Sequence, residues 1–286
     1  MTRQKHYNLL KKQILSNFSK RTLTGILIVG FIVSAILLSK ISFFLLFFLV
    51  VFLTAQEFYN LSTFEHVKPQ RNYGSVIAII IYIMFYLYAQ RNVDEKIFLP
   101  IIPLIISLFL VELFRKEKHP FQNIAYTILG IIYTAIPFSL FHFFVFEGDA
   151  VIKYNPYFLL SFFILIWAYD TGAYLVGILI GSSPLFRRIS PKKTWEGLIG
   201  GALIAGLIAW LLSIIFKEYT IFEWQIISLI IVLMGTFGDL TESLFKRSID
   251  VKESGHVLPG HGGMLDRFDG VLFAAPVVFM YLKLIS

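Results

Sequence analysis

The chain has 286 residues, of which 57% are hydrophobic, 17% aromatic and only 15% charged, with a formal net charge of +7 and no cysteine. A soluble domain carries about 25% charged residues, so this composition excludes an ordinary soluble fold and points to an integral membrane protein. The lack of cysteine excludes disulfides and thiolate metal sites.

Residues 1–22 are polar and basic, and the first apolar run begins at Leu23. This stretch is long for a signal peptide and no clean small-residue cleavage site follows it, so the first span is expected to be retained. Tyr7, Leu10, Ile14 and Phe18 share one helical face, with Lys11, Lys12 and Lys20 elsewhere. The pattern fits an amphipathic helix on an anionic leaflet, or equally a solvated basic tail.

A membrane-crossing helix needs about 20 apolar residues. The segments that answer to this are 23–39, 41–59, 75–90, 97–114, 121–146, 157–180, 197–216, 222–246 and 270–286. The expected fold is an all-α polytopic integral membrane protein with about nine transmembrane helices. Of the 25 lysines and arginines, 19 fall in the N-terminal tail and in alternate loops on its side, and six fall on the other side. The positive-inside rule then places the N-terminus in the cytoplasm. Residues 1–156 read as a membrane scaffold, the basic interfacial segment 1–22 plus about five spans. Residues 157–286 carry the charged motifs and read as the catalytic membrane region.

Three polar constellations stand in that second half. In the first, Asp170 and Tyr174 lie four residues apart on one face of the sixth span. A carboxylate inside an apolar helix must face protein, water or a cation. A hydrogen bond to a neighbouring helix and a place in an active site both meet that need.

The second runs Arg187-Arg188-Ile-Ser190-Pro191-Lys192-Lys193-Thr194-Trp195-Glu196-Gly197. Pro191 interrupts the backbone, and Thr194 is placed to cap the next helix. A capped helix start beside two lysines suits phosphate, through free N–H groups and a positive dipole end. A merely positive-inside loop is the plainer alternative. The small residues Gly197, Gly201, Ala205 and Ala209 then mark a helix-packing stripe.

The third runs from Gly238 to Gly270. Asp239, Glu242, Ser243 and Lys246 share one helical face. A loop follows with His256 and Pro259-Gly260-His261-Gly262-Gly263. Its glycines permit unusual backbone angles and close approach of N–H groups to a ligand. Asp266-Arg267-Phe268-Asp269 then puts two carboxylates three residues apart at the start of the last helix. Carboxylate oxygens completed by phosphate oxygens are what Mg²⁺ prefers. Neither HExxH nor GxxxxGK[ST] occurs, so a zinc-protease site and a P-loop are excluded.

Ser243-xx-Lys246-Arg247 followed by Pro259-Gly-His-Gly-Gly-x-Leu-Asp-Arg-x-Asp269 resembles the signature of phosphatidate cytidylyltransferases, also called CDP-diacylglycerol synthases. Asp170-Thr-Gly-Ala-Tyr174 and Ser190-Pro-Lys-Lys-Thr-Trp-Glu-Gly197 fit the same family in the same order. The chain departs from it at Glu253, where Asp is usual, and at Gly270, where a small hydroxyl residue is common. The resemblance implies transfer of CMP from CTP to phosphatidic acid, giving CDP-diacylglycerol and pyrophosphate for phospholipid biosynthesis.

It also implies catalytic roles for Asp239, Lys246, Arg247, His261, Asp266, Arg267 and Asp269. Of these, Asp239, Asp266 and Asp269 would hold Mg²⁺, with room for a second cation. Asp170, Ser190, Lys192, Lys193, Thr194, Glu196, Ser243, Gly260, Gly262 and Gly263 would bind substrate. A homodimer in a bacterial-type inner membrane, with the site facing the cytoplasm and no nucleic-acid partner, completes the implied picture. A transporter would instead show broken helices in matching positions of two halves, which the sequence lacks. A CTP-dependent polyprenol or phytol kinase shares the polytopic setting but not the PGHGGxLDRxD string.

Overall fold

The computed structural model describes residues 25–64, 66–148, 151–251, 254–255 and 262–285. The basic interfacial segment expected over 1–22 lies outside the described residues. Among the described residues, eight helical segments are long and apolar enough to cross a membrane, and a ninth, α1 (Gly25–Leu38), is shorter. The chain is an integral membrane protein of all-α class.

Helix α2 (Lys40–Leu61) follows α1 after a single residue, Ser39. The break is chemical as well as steric. Ser39 accepts the backbone N–H of Ser42, and Ser42 returns the bond to Ser39 N–H, closing a capping box. Helices α3 (Arg71–Ala89), α4 (Ile101–Phe114, extended by a 3₁₀ turn at Glu95–Phe98 into a span of 20 residues) and α5 (Pro120–Leu140) complete the first group. Pro137 lies in the last turn of α5, where it removes one ladder bond and bends the chain into the one-turn helix α6 (His142–Val145).

A short hairpin of β1 (Phe146–Glu147) and β2 (Lys153–Tyr154) leads to α7 (Tyr157–Ile180). A second hairpin of β3 (Pro184–Phe186) and β4 (Ser190–Thr194) leads to α8 (Trp195–Ile215). Neither hairpin is expected from the sequence, which reads from Arg187 to Gly197 as a loop before a capped helix start. Then come α9 (Ile221–Ser248) and α10 (Leu265–Ile285).

Three features of this frame position the polar residues. Helix α9 has 28 residues, which at 1.5 Å per residue is about 42 Å, longer than a hydrocarbon core of about 30 Å. Its C-terminal turns therefore reach the membrane edge, and these carry Asp239, Glu242, Ser243 and Lys246. Helices α7 and α8 pack closely, and the stripe read from Gly197 and Gly201 is what permits it. A methyl on Gly201 would stand 2.8 Å from the carbonyl oxygen of Tyr169, and one on Gly197 would stand 2.8 Å from that of Ala173. Finally, one continuous apolar core includes residues of both halves. Phe58 of α2 stacks on Phe245 of α9 at 5.5 Å, and Phe138 of α5 meets Phe268 of α10 edge-on at 5.3 Å. Such ring pairs contribute about 0.5–1.5 kcal/mol each beyond their area.

A buried polar knot ties α3, α4 and α5 together. Glu112, 6% exposed, accepts hydrogen bonds from Gln70 Nε2 at 2.7 Å, Asn123 Nδ2 at 2.7 Å and Arg115 Nη1 at 2.8 Å. A buried carboxylate is tolerable because every side of it meets a donor.

Candidate active site

The polar ends of α7, α9 and α10 and the β3–β4 hairpin enclose a cavity of about 690 Å³. Asp170, Ser190, Lys192, Lys193, Thr194, Asp239, Asp266, Arg267 and Asp269 all line it. The three constellations, spread over a hundred residues of sequence, thus meet at one place. Deeper in, Ile166, Ile231 and Val271 give the cavity an apolar wall.

Each carboxylate is delivered by a different local device. Asp170 and Tyr174 stand one helical turn apart on α7 and both face the cavity. Tyr169, the neighbour of Asp170, fixes the helix rotation through a 2.5 Å bond between its hydroxyl and that of Thr236 on α9. Asp239 accepts from Ser243 Oγ at 3.3 Å, one turn on, and pairs with Lys193 from the hairpin. Asp269 sits in the second turn of α10, where its Oδ1 takes the N–H of Gly270 at 2.6 Å.

Asp266 is held most tightly of all. It receives Lys246 Nζ at 2.6 Å, Ser254 N–H at 3.0 Å and Gly263 N–H at 2.9 Å. Lys246 also pairs at 2.5 Å with Glu242, only 1% exposed. Lys246 therefore neutralises two carboxylates at once, one on its own helix and one on α10.

The hairpin explains the lysine pair. Thr194 Oγ1 accepts the N–H of Gly197 at 3.1 Å and caps α8, as its place in the sequence suggested. Extended strand geometry sends successive side chains to opposite faces, yet Lys192 and Lys193 both reach the cavity because it wraps around the strand end. Burial pulls the Lys193 ammonium below the usual lysine value, while the carboxylates of Asp269, Asp170 and Glu242 pull it back up.

Not every candidate lines the cavity. Glu196 turns toward the start of the hairpin, accepting from Ser182 Oγ at 2.7 Å and Ser183 N–H at 3.2 Å. Arg247 is exposed and donates to the carbonyl of Val251 at 3.4 Å. Ser243 and Lys246 act on the cavity through Asp239 and Asp266. Gly262 has a φ of +78°, a conformation that only glycine adopts without strain, and Gly263 lends its N–H to Asp266. Gly260 and His261 lie outside the described residues, as do Glu253 and His256.

Sequence reasoning missed Glu57 of α2. It is 3% exposed and accepts from Met264 N–H at 2.8 Å and Leu265 N–H at 2.7 Å, at the very start of α10. The available signal was a lone carboxylate in an otherwise apolar span, the feature that singled out Asp170.

For a divalent cation, the candidate donors Asp170, Asp239, Asp266 and Asp269 are all oxygen and come to the cavity from α7, α9 and α10. Among the described residues no three carboxylates or histidines close on a common point. Such donors do not make an all-protein cage, and a hard cation would need most of its shell from other oxygens.

The sequence profile of the cytidylyltransferase family matches residues 19–285. A phosphatidate cytidylyltransferase of Staphylococcus saprophyticus is 34% identical over 261 residues, 90% of this chain and 96% of that protein. One of Staphylococcus haemolyticus is 32% identical over 260 residues, with the same two shares of 90% and 96%. One of Rickettsia felis is 39% identical over 167 residues, 56% of this chain and 71% of that protein. The match takes in every helix of the described residues, and the chain belongs to the cytidylyltransferase family.

Proposed function

We propose that this protein transfers CMP from CTP to phosphatidic acid, giving CDP-diacylglycerol and pyrophosphate. The observation that carries this is the cavity in which Asp170, Asp239, Asp266 and Asp269 meet Lys192, Lys193 and Arg267 beside an apolar wall. A water-soluble polyanion and an amphipathic lipid phosphate need such a place in common.

Both substrates are anionic and repel each other. The attacking phosphatidate oxygen is already ionised and needs no strong base. It bonds to the α-phosphorus of CTP, and the bond from that phosphorus to the β-phosphate oxygen breaks. The task left to the protein is alignment and charge neutralisation. Lys192, Lys193 and Arg267 face the phosphates, and Lys246 and Arg247 add positive charge behind them. Ser190 and Thr194 would contact the phosphate oxygens, and Gly260, His261, Gly262 and Gly263 are the further candidates for such contacts.

Asp239, Asp266 and Asp269 would hold Mg²⁺, with Asp170 beside them and space for a second cation. When bound, the metal withdraws charge from the triphosphate. In this reading the N-terminus and the cavity mouth face the cytoplasm of a cell with an inner membrane, and the protein works as a homodimer.

The test is incubation of the purified protein with labelled CTP and phosphatidic acid, followed by lipid extraction. Label in a liponucleotide is the expected result. A phosphorylated alcohol without label in the nucleotide position would indicate a kinase, and no lipid product would overturn the reading. Asp239→Asn should abolish transfer without affecting membrane insertion, and excess chelator should stop turnover until Mg²⁺ is restored. Turnover that persists in chelator gives the aspartates another task.

A further inference from the structure

We infer that Glu57, on the second helix of the scaffold half, is a positioning residue for the reaction. The inference rests on the proposed CMP transfer and concerns how the Asp266 wall of the cavity is held.

Glu57 is remote from the catalytic motifs in sequence, yet its carboxylate closes the start of α10. The first N–H groups of a helix have no partner within it, and that end carries a partial positive charge. Glu57 answers both needs from another helix, with Oε1 on Met264 N–H at 2.8 Å and Oε2 on Leu265 N–H at 2.7 Å. Oε2 also receives Ser254 Oγ at 3.3 Å. The same Ser254 hydroxyl accepts Asp266 N–H at 3.3 Å, and Ser254 N–H donates back to the Asp266 carboxylate at 3.0 Å. A continuous hydrogen-bonded path therefore runs from Glu57 through Ser254 to Asp266.

Two glycines show that this contact is built in. A methyl group on Gly255 would stand 2.8 Å from Glu57 Oε1, and one on Gly263 would stand 2.9 Å from Glu57 Cδ. Backbone on both sides of the glycine-rich segment presses on this carboxylate, which no side chain larger than hydrogen would allow. Part of the glycine pattern read as phosphate-binding thus serves to seat the loop on Glu57.

A helix cap alone would contribute to stability only. Glu57 does more because the group at the end of its path lines the cavity. Replacing one carboxylate oxygen by an amide nitrogen, as Gln does, leaves one of the two N–H groups without its acceptor and loosens Ser254, and Asp266 shifts with the turn it stands on. Displacements of about 1 Å at groups that position substrate cost about a hundredfold in rate.

The experiment uses the full chain in detergent or nanodiscs. Wild type, Glu57→Gln, Glu57→Asp and Ser254→Ala are compared for kcat, for KM toward CTP and phosphatidic acid, and for the Mg²⁺ concentration at half-maximal rate. Hydrogen exchange at the Met264 and Leu265 amides is followed in parallel. Glu57→Gln should lose at least about tenfold in kcat and need several-fold more Mg²⁺. At least one of the two amides should exchange faster, KM for phosphatidic acid should stay within about twofold, and Glu57→Asp should recover part of the rate.

Ser254→Ala should lower kcat while Met264 and Leu265 stay protected. This variant decides the matter if Glu57→Gln does not fold. Unchanged kcat and Mg²⁺ dependence in either folded variant would overturn the inference. A wild type that makes no liponucleotide overturns the proposed reaction instead, while the exchange data still report whether Glu57 anchors the loop.

Discussion

Lys193, on strand β4, pairs with Asp239 on α9 across the mouth of the cavity. The two come from different constellations and from opposite sides of α8. Their contact couples the hairpin to the helix that carries the polar stripe. It also holds the Lys193 ammonium at the cavity lining.

The pH dependence follows from the surroundings of Lys193. Burial lowers its proton affinity below that of a free lysine, against the pull of Asp269, Asp170 and Glu242. It therefore loses its charge at a lower pH than an ordinary lysine, and phosphate neutralisation fails on the alkaline side. A guanidinium keeps its proton above pH of about 12. In Lys193→Arg, the alkaline fall of kcat/KM for CTP should move to higher pH. An identical alkaline limb in wild type and variant would assign that limb to another group.

Lys246 is the shared cation of Glu242 and Asp266. Lys246→Met leaves both carboxylates unpaired, one of them almost fully buried. Breaking a buried pair by removing one partner costs about 3–5 kcal/mol. Denaturant unfolding in micelles should show a loss of that order, and Glu242→Gln added to Lys246→Met should recover much of it. CMP transfer should stay low in the double variant, because Asp266 still lacks its partner. If Lys246→Met is as stable as wild type, the three groups do not share charge in this way.

Gly238 and Gly235 lie one turn apart on α9 and should respond in opposite ways. A methyl on Gly238 would run into the carbonyl oxygen of Asp269, whereas one on Gly235 would meet nothing within 4 Å. Gly238→Ala must push α10 away, at a typical overpacking cost of about 1–3 kcal/mol, and should displace Asp269 and reduce turnover. Gly235→Ala should be neutral or raise stability by about 0.5–1 kcal/mol, the usual gain of alanine over glycine within a helix. Thermal unfolding of the two variants, with activity measured alongside, checks the contrast. Equal effects would mean that the helices adjust freely at this crossing.

Much of this site was legible in the chain because its parts are local. The spacing of Asp239, Ser243 and Lys246 places them on one face of any helix. Thr194 before an apolar run marks a helix start wherever it occurs. The apolar runs 23–39 and 41–59 leave only Lys40 between them, and the capping box of Ser39 with Ser42 is what starts a new helix there. The β3–β4 hairpin was less legible, since five residues containing two lysines and a proline show no strand periodicity. Its strand pairing is decided by the closure between Pro184 and Thr194. The Glu112 knot was also missed, because its partners Gln70, Arg115 and Asn123 look like ordinary loop and helix-end residues until the helices meet.

The sequence by itself determined the membrane setting, the succession of helices, the family and the charged motifs that meet in the cavity. These follow from hydropathy, from charge and from spacing within single segments. Only the tertiary structure decided which groups share a partner and which residue holds the loop. Lys193 meets Asp239, and Glu57 meets Met264 and Leu265, through helix packing over separations that no local period records. The physical reason is that a buried carboxylate must be satisfied by whatever donors the fold brings to it, and those donors can be backbone N–H groups about two hundred residues away in sequence. Backbone donors are present at almost every position of a chain, so their use leaves no mark in the sequence.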